Sequence, residues 1–402
     1  MMTSQILVLN AGSSSLKYSL IDIKNAEHRY SGLIDRIGET LSSHTQHVNG
    51  TSLKTELRIA DHRQAIDLLF SNLNQQPNFH PDTLACVAHR VVHGGERFHA
   101  PTRISPDVVH AIRELIPLAP LHNPANLLGI ELSLAQLPNT PQIAVFDTAF
   151  HQSLPDYAYR YAVPESWYQQ HAVRRYGFHG SSHAYIAEQA AQWLNKPITD
   201  CSFISLHLGN GASACAIAKG RSVDTSMGMT PMEGLVMGTR SGDLDPSIIF
   251  YLQRELNWSS QEIENQLNKH SGLKGLCLEN DMRLIHQRAE TGDRQAQLAR
   301  SLFAYRVKKY IGAYLAVLGE VDALLFTGGI GENDCWLRQN CLEGLARLGL
   351  SLDSDLNQHS KNPITVISTS LSNIPILVIR TDEEFQIAKE SYHSLLLSSE
   401  KT

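Results

Sequence analysis

Two arginines and a histidine stand beside glycines in short polar stretches: Arg90 in AHRVVHGGE (88–96), Arg240 in GTRSGDLDP (238–246) and His179 in RRYGFHGSSH (174–183). A guanidinium fork matches phosphate or carboxylate bidentately, so Arg90 and Arg240 read as anion-binding groups, or else each as half of a structural salt bridge. His179 reads as a functional donor or as a packed core histidine. Asp147 ends the apolar run in IAVFDTAFH (143–151), the place where open α/β sheets present carboxylates to a cleft; a loop-capping role is the alternative. Asp245, before Pro246, reads as a helix N-cap, and Ser181 and Ser182 as caps of a helix starting near His183.

Three glycine corners follow apolar strands. ILVLNAGSSSLKYSLI (6–21) aligns without a gap on SLHLGNGASACAIAKG (205–220) when Gly12 is set against Gly211, and ALLFTGGIGEN (323–333) is the third. Backbone N–H groups of such bends form a concave donor surface for phosphate oxygens, and Lys17 adds charge to the first. The first two are also compatible with ordinary hairpins, and the third with a tight strand-to-helix connection before a helix near Asn333. The sequence lacks a Gly-Lys dipeptide and the HRD and DFG elements, which removes P-loop and protein-kinase folds. GNGASA fits a dinucleotide-binding pattern but does not open a helix, so a Rossmann oxidoreductase remains a weak alternative.

These corners must be carried by a large α/β chain. Strand candidates at 5–10, 16–22, 142–147, 203–208, 322–327 and 375–380 alternate with helical patterns, the longest at about 294–319. At 402 residues and 42% hydrophobic content the chain exceeds a single core, so two lobes with a central cleft are expected. The net charge of −6, without a basic run, argues against nucleic acid as a partner. Six cysteines without CxxC, and the absence of a leader pattern or a long apolar stretch, predict a reduced, cytoplasmic protein with no membrane partner. The nineteen histidines form no zinc-like cluster.

From about residue 5 to 390 the chain resembles the acetate and propionate kinase family, through NAGSSSLK, HRVVHGG, PLHNPAN, FDTAFH, RRYGFHGSSH, HLGNGAS, DTSMGMTPMEGLVMGTRSGDLDP and FTGGIGEN. The resemblance implies a duplicated actin-like, ribonuclease H-like ATPase fold, shared with sugar kinases, Hsp70 and actin. Its expected lobes are 1–149, completed by a C-terminal helix at about 385–402, and 150–384, which binds nucleotide. The implied reaction is reversible transfer of the ATP γ-phosphate to acetate, giving acetyl phosphate and ADP, with propionate a poorer substrate and butyrate poorer still. The residues matching Arg90, Arg240 and His179 surround the migrating phosphoryl group, and Asp147 lies close to the reacting carboxylate.

By the same resemblance Asn10 and Glu383 support Mg²⁺, with Mn²⁺ as an alternative ion, and Lys17 lies near the phosphates. ATP or ADP is held by His207, Leu208, Gly209, Asn210 and Gly211, by Asp281, Met282 and Arg283, and by Gly328, Gly329, Ile330, Gly331, Glu332 and Asn333. Val92, Leu121, Phe178 and Pro231 form the acyl pocket together with Arg90, and the protein is a homodimer. An actin- or Hsp70-like ATPase would share the fold without the Arg90, Arg240 and His179 set. Acetate is already ionised near neutral pH, so the nucleophile needs no general base, and Asp147 is expected to organise Mg²⁺, its waters or Arg90. Two departures stand out: Asp382 where relatives commonly carry Asn, and Lys274, Leu278 and Glu279 in SGLKGLCLENDMR (271–283).

Overall fold

The computed structural model describes residues 4–48, 50–76, 79–359 and 362–399, so the last positions of the expected C-terminal helix, 400–402, lie outside the described residues. Two compact units form, one of Met1–Ala149 with Asp382–Thr402, the other of Phe150–Thr381.

The first unit carries β1 (Gln5–Ala11), β2 (Ser15–Asp22), β3 (Glu27–Asp35), β4 (Ser42–Val48), β5 (Thr51–Leu57), β6 (Leu84–Val91), β7 (Thr102–Arg103) and β8 (Gln142–Phe146) in one sheet of order β5-β4-β3-β2-β1-β6-β8-β7. Alternate residues of β1 face opposite sides. Leu7, Leu9 and Ala11 enter a core with Leu69 and Leu132 from the helices His62–Asn74 and Asn123–Gln136; Ile6 and Val8 meet Ile387 and Ala388 of the helix Glu383–Ser399. Both faces of β1 are therefore covered, which explains its continuous apolar run.

In the second unit β9 (Ser202–Leu208), β10 (Ala212–Ala218), β11 (Arg221–Thr225), β12 (Ala323–Thr327), β13 (Ile364–Val366) and β14 (Ile376–Ile379) are ordered β11-β10-β9-β12-β14-β13. Phe203 of β9 packs with Ile186 and Ala190 of the helix Gly180–Trp193. The helix Arg294–Leu318, one residue shorter than its periodicity predicts, also packs on β9 and β10.

Within each unit the same five-strand pattern recurs. β1 pairs antiparallel with β2, β2 antiparallel with β3, β1 parallel with β6 and β6 parallel with β8. β9 stands in the same relations to β10, β12 and, through them, β11 and β14. This repeated topology is the duplicated actin-like fold, and the corners at Gly12 and Gly211 join the equivalent hairpins β1–β2 and β9–β10.

Two expected helix starts move. The helix at 180 begins at Gly180 with His179, at φ 58°, in the N-cap position, so Ser181 and Ser182 lie inside the first turn instead of capping it. The helix expected near Asn333 runs over Cys335–Leu342, and a short helix that the sequence did not suggest, Gly328–Asn333, precedes it. Gly328 has φ +79°, and a Cβ there would lie 2.7 Å from Leu208 O, so only glycine permits this abrupt turn. The helix Ser247–Leu256 has Pro246, not Asp245, in its N-cap position; Asp245, one residue further out, accepts from Ser247 N at 2.8 Å through Oδ1. All six cysteines are free thiols. Among the described residues no helix is long and apolar enough to cross a membrane.

Candidate active site

In the first unit the C-terminal ends of the parallel strands β1, β6 and β8 carry Asn10, Arg90 and Asp147. Asp147 N donates to Val91 O, fixing the carboxylate just past β8. Arg90 Nε donates to Asp147 Oδ1 at 2.8 Å and Nη2 to Oδ2 at 2.7 Å, while Nη1 lies 3.8 Å from Glu383 Oε2. The Arg90 fork is thus turned onto Asp147, the salt-bridge arrangement that the sequence left open beside anion binding, and Nη1 is directed toward Glu383. Burial opposes the charge on Arg90, but Asp147 and Glu383 outweigh it and its pKa lies above the ordinary value. Asp147, 3% exposed and paired through both oxygens, is suited to orienting Arg90.

Lys17, opposite Asn10 in the hairpin register, forms an ion pair with Glu384. Asp382 accepts from Phe385 N at 2.9 Å through Oδ1 and meets His28 Nε2 at 2.8 Å through Oδ2. The extra negative charge noted in the sequence therefore serves as a helix cap with a histidine partner. The Asp382 hydrogen bond is the main reason the His28 pKa is raised, with burial opposing it. A raised folded-state pKa means that the pair's stabilisation is fully present below the unfolded value of about 6.5 and is lost as pH rises through the folded value. His28→Gln is expected to abolish this pH-dependent increment, within the ~0.2–1 kcal/mol of partly exposed pairs, and urea melts at pH 6 and pH 9 measure it.

Sequence reasoning gave no role to the asparagines of PLHNPAN. Asn126 donates to Ala11 O at 2.6 Å and accepts from Val92 N at 3.0 Å; Asn123 bonds both backbone groups of His93, at 3.2 and 3.1 Å. These buried side chains clip the ends of β1 and β6 to the helix Asn123–Gln136. The available signal was two asparagines three positions apart on a helix face otherwise carrying Leu127 and Ile130. Val92 is half-buried and Leu121 is exposed, just ahead of that helix.

In the second unit His179, Arg240 and Gly211 come together. A methyl placed on Gly211 would lie 3.4 Å from His179 Nε2 and 3.9 Å from Arg240 Nη1, so the two nitrogens lie close to the Gly211 backbone. Arg240 Nη1 donates to Pro231 O at 3.3 Å, and among the described residues no carboxylate pairs with it. Burial alone lowers its pKa. Phe178, next to His179, is buried, and its carbonyl accepts from His151 Nε2 at 3.0 Å. The His207 ring lies 4.3 Å from that of His179.

A cavity of about 1000 Å³ opens in the same unit. Of the expected nucleotide residues, Gly209, Asn210, Asp281 and Met282 line it, as do Arg283, Gly329, Ile330 and Asn333. His207 and Gly211 lie beside His179 instead, while Leu208, Gly328 and Gly331 are buried behind the wall. Glu332 is turned onto its own loop: Oε1 accepts from Gly328 N at 3.1 Å and Thr381 N at 3.0 Å, bracing the turn.

The sequence gave no warning of Asn280, His286 and Trp336 in the cavity wall. Arg300 lies over the Trp336 ring at 4.3 Å and donates to His286 Nδ1 at 3.3 Å, so His286 carries its proton on Nε2, toward Asp334 at 2.7 Å.

In the unusual segment, Glu279 Oε1 accepts from Asn280 N and Asp281 N at 2.8 and 2.9 Å, fixing the lip of the cavity. Leu278 ends the helix Gly272–Cys277 at φ 62° and is 83% exposed. A leucine there bears left-handed strain without compensating burial. Leu278→Gly is expected to stabilise the protein by ~0.5–1 kcal/mol, read as a raised urea midpoint at unchanged slope.

A family profile described as the Acetokinase family matches residues 5–389. The chain is 49% identical to the acetate kinase of Streptomyces coelicolor over 98% of its own length and 97% of that protein, and 48% identical to that of Helicobacter pylori over 96% and 98%. Its fold is similar to a propionate kinase from Francisella tularensis at TM-score 0.93 and 43% identity, covering 97% of this chain and 99% of that one. An acetate kinase from Porphyromonas gingivalis gives 0.91 and 39%, covering 98% and 100%. The profile match and these likenesses over nearly the whole length show that the chain belongs to the acetokinase family.

Proposed function

We propose that the chain catalyses reversible, Mg²⁺-dependent transfer of the ATP γ-phosphoryl group to acetate, giving acetyl phosphate and ADP by direct in-line displacement. It is a phosphotransferase with a carboxyl group as acceptor. The observation that carries the reading is Arg240: a half-buried guanidinium with no carboxylate partner among the described residues, beside His179 and Gly211. A buried cation lacking a counter-charge is stabilised by an anionic ligand, and it needs no reorganisation when negative charge spreads over the transferring group.

Arg90 supplies Nη1 as a second donor, oriented by Asp147. The cavity lined by Gly209, Asp281 and Ile330 takes the nucleotide, and Lys17 the phosphate charge. Val92, Leu121, Phe178 and Pro231 supply apolar surface to the acyl methyl group; an added methylene is worth only ~1–3 kcal/mol in such a pocket, so propionate reacts more slowly and is not excluded. The Asn10 carbonyl and Glu383 carboxylate suit a hard cation such as Mg²⁺ or Mn²⁺, which binds through one or two carboxylates plus substrate phosphates; among the described residues no three His, Cys, Asp or Glu side chains form a protein cage. When bound, the ion offsets charge on the β and γ phosphates.

A homodimer is supported by the helix Ser247–Leu256, where Ile248, Phe250, Tyr251 and Leu256 are exposed, and a reducing, cytoplasmic setting by the six free thiols. One coupled assay tests the activity: ATP consumption that depends on acetate and yields a hydroxylamine-trappable acyl phosphate is expected. Acetate-independent hydrolysis would favour an ATPase, and NAD reduction a dehydrogenase.

A further inference from the structure

Between β11 and Arg240 the chain makes a loop, Met229 to Glu233, whose tip carries Pro231. The Pro231 carbonyl accepts from Arg240 Nη1 at 3.3 Å; with the Met237 sulfur it makes up the hydrogen-bond partners of that guanidinium among the described residues. Pro231 has no N–H, and among the described residues no hydrogen bond ties Thr230, Pro231 or Met232 to another part of the chain except the one to Arg240 itself. The place of the tip is therefore set at its two ends.

Both ends meet one atom. The Tyr161 hydroxyl accepts from Met229 N at 3.0 Å and donates to Glu233 Oε2. Arg175 holds the other carboxylate oxygen, Nη2 donating to Glu233 Oε1 at 2.7 Å, while its Nη1 donates to the carbonyls of Thr225, Ser226 and Met227 at 3.0, 3.1 and 3.0 Å. A Cβ on Gly228 would collide with the Glu233 carboxylate and the Tyr161 hydroxyl, so the backbone passes directly against this clasp. The roles in it are fixed: Met229 N–H only donates and the Glu233 carboxylate accepts, so the single phenolic hydrogen points to Glu233. Burial, then Glu233, raises the Tyr161 pKa, which keeps that hydrogen in place. Outside the loop the chain is held again, at Gly228 by Tyr176 N and at Gly234 by Asp243, so opening the clasp frees the loop without unfolding its surroundings.

We infer that Tyr161 is a positioning residue for Arg240: its hydroxyl draws the two ends of the loop together and so places the Pro231 carbonyl that orients the guanidinium. This rests on the reading above, in which Arg240 meets the transferring phosphoryl group. A phenyl ring would fill the same space; the oxygen is what closes the loop.

Ligand-free crystal structures of the wild type and of Tyr161→Phe test it directly. In the variant the Pro231 carbonyl is expected to move out of hydrogen-bond reach of Arg240 Nη1; an unmoved carbonyl overturns the inference. This readout needs no turnover, so it stands even if acetate-dependent activity is absent and the reading above fails. In the kinase assay, at saturating ATP and acetate, Tyr161→Phe is expected to lower kcat roughly 10-fold with KM for ATP within about twofold, because neither Tyr161 nor the loop lines the nucleotide cavity. In an Arg240→Ala background the same substitution is expected to change kcat by less than about twofold, since the group it positions is gone. Wild-type kcat in folded Tyr161→Phe, or an equal loss in both backgrounds as a general loosening of the fold would give, overturns the inference. Should Tyr161→Phe not fold, Glu233→Gln breaks the clasp from the other side, because one carboxamide oxygen cannot serve both Tyr161 and Arg175. Wild-type kcat and an unmoved Pro231 carbonyl there would overturn it equally.

Discussion

Arg240→Ala is expected to lower kcat by at least ~10²-fold while leaving the unfolding midpoint unchanged or slightly raised. The two halves of this result have one cause. Arg240 is half-buried, and among the described residues its hydrogen-bond partners are the Pro231 carbonyl and the Met237 sulfur, so desolvation of its charge is a cost to the folded protein that an anion would offset. Removing it relieves that cost and removes the donor that meets developing negative charge. Urea melts and steady-state kinetics on the same preparation test both halves. Near-normal turnover would remove Arg240 from the mechanism, and a large loss of stability would show that its charge is already compensated in the free protein.

Arg90→Ala is expected to lose both activity and stability. Here the guanidinium answers a buried carboxylate through two hydrogen bonds, and removing one partner of such a pair typically costs ~3–5 kcal/mol because the other charge remains buried. Asp147 then regains stability by taking up a proton, so the variant should be relatively less impaired at low pH. Denaturant midpoints at pH 5 and pH 8 measure this; equal losses at both would mean that Asp147 is not the group left uncompensated. The accompanying kcat loss of ~10²-fold or more separates Arg90 from a purely structural arginine. The double variant Arg90→Ala, Asp147→Ala should recover part of the stability and none of the activity.

The contrast between these two arginines was not legible in the sequence, where both are arginines beside glycines. What distinguishes them is long-range: Asp147 lies 57 positions from Arg90 and reaches it because β6 and β8 are parallel neighbours in register. The strands themselves were legible, since β1, β8, β9, β12 and β14 are short apolar runs bounded by polar turns, and the matched glycine corners disclosed the repeat. The polar hairpins were harder, because β5 is exposed along nearly its whole length and has no apolar face to announce it.

The early helix start at Gly180 and the unforeseen short helix Gly328–Asn333 share a cause: at His179 and Gly328 the chain turns through positive φ, allowing helix to begin sooner than the serine caps or the glycine run suggested. Polar linkers such as Asn123, Asn126 and Tyr161 left no periodic trace; their partners lie on other elements, and only the folded chain brings them together.

The first unit is discontinuous, closing only when the helix Glu383–Ser399 covers β1, β6 and β8. During synthesis the segment 150–381 therefore emerges whole and can complete its own core while the earlier-made segment still waits for its last helix. The segment 1–149 is translated first yet finishes last, with the apolar side chains of Ile6, Val8 and Ile143 uncovered until residues 383–399 have been made. A nascent chain stalled before residue 383 would be a natural client for a chaperone, because one apolar face of β1 would still lack its cover.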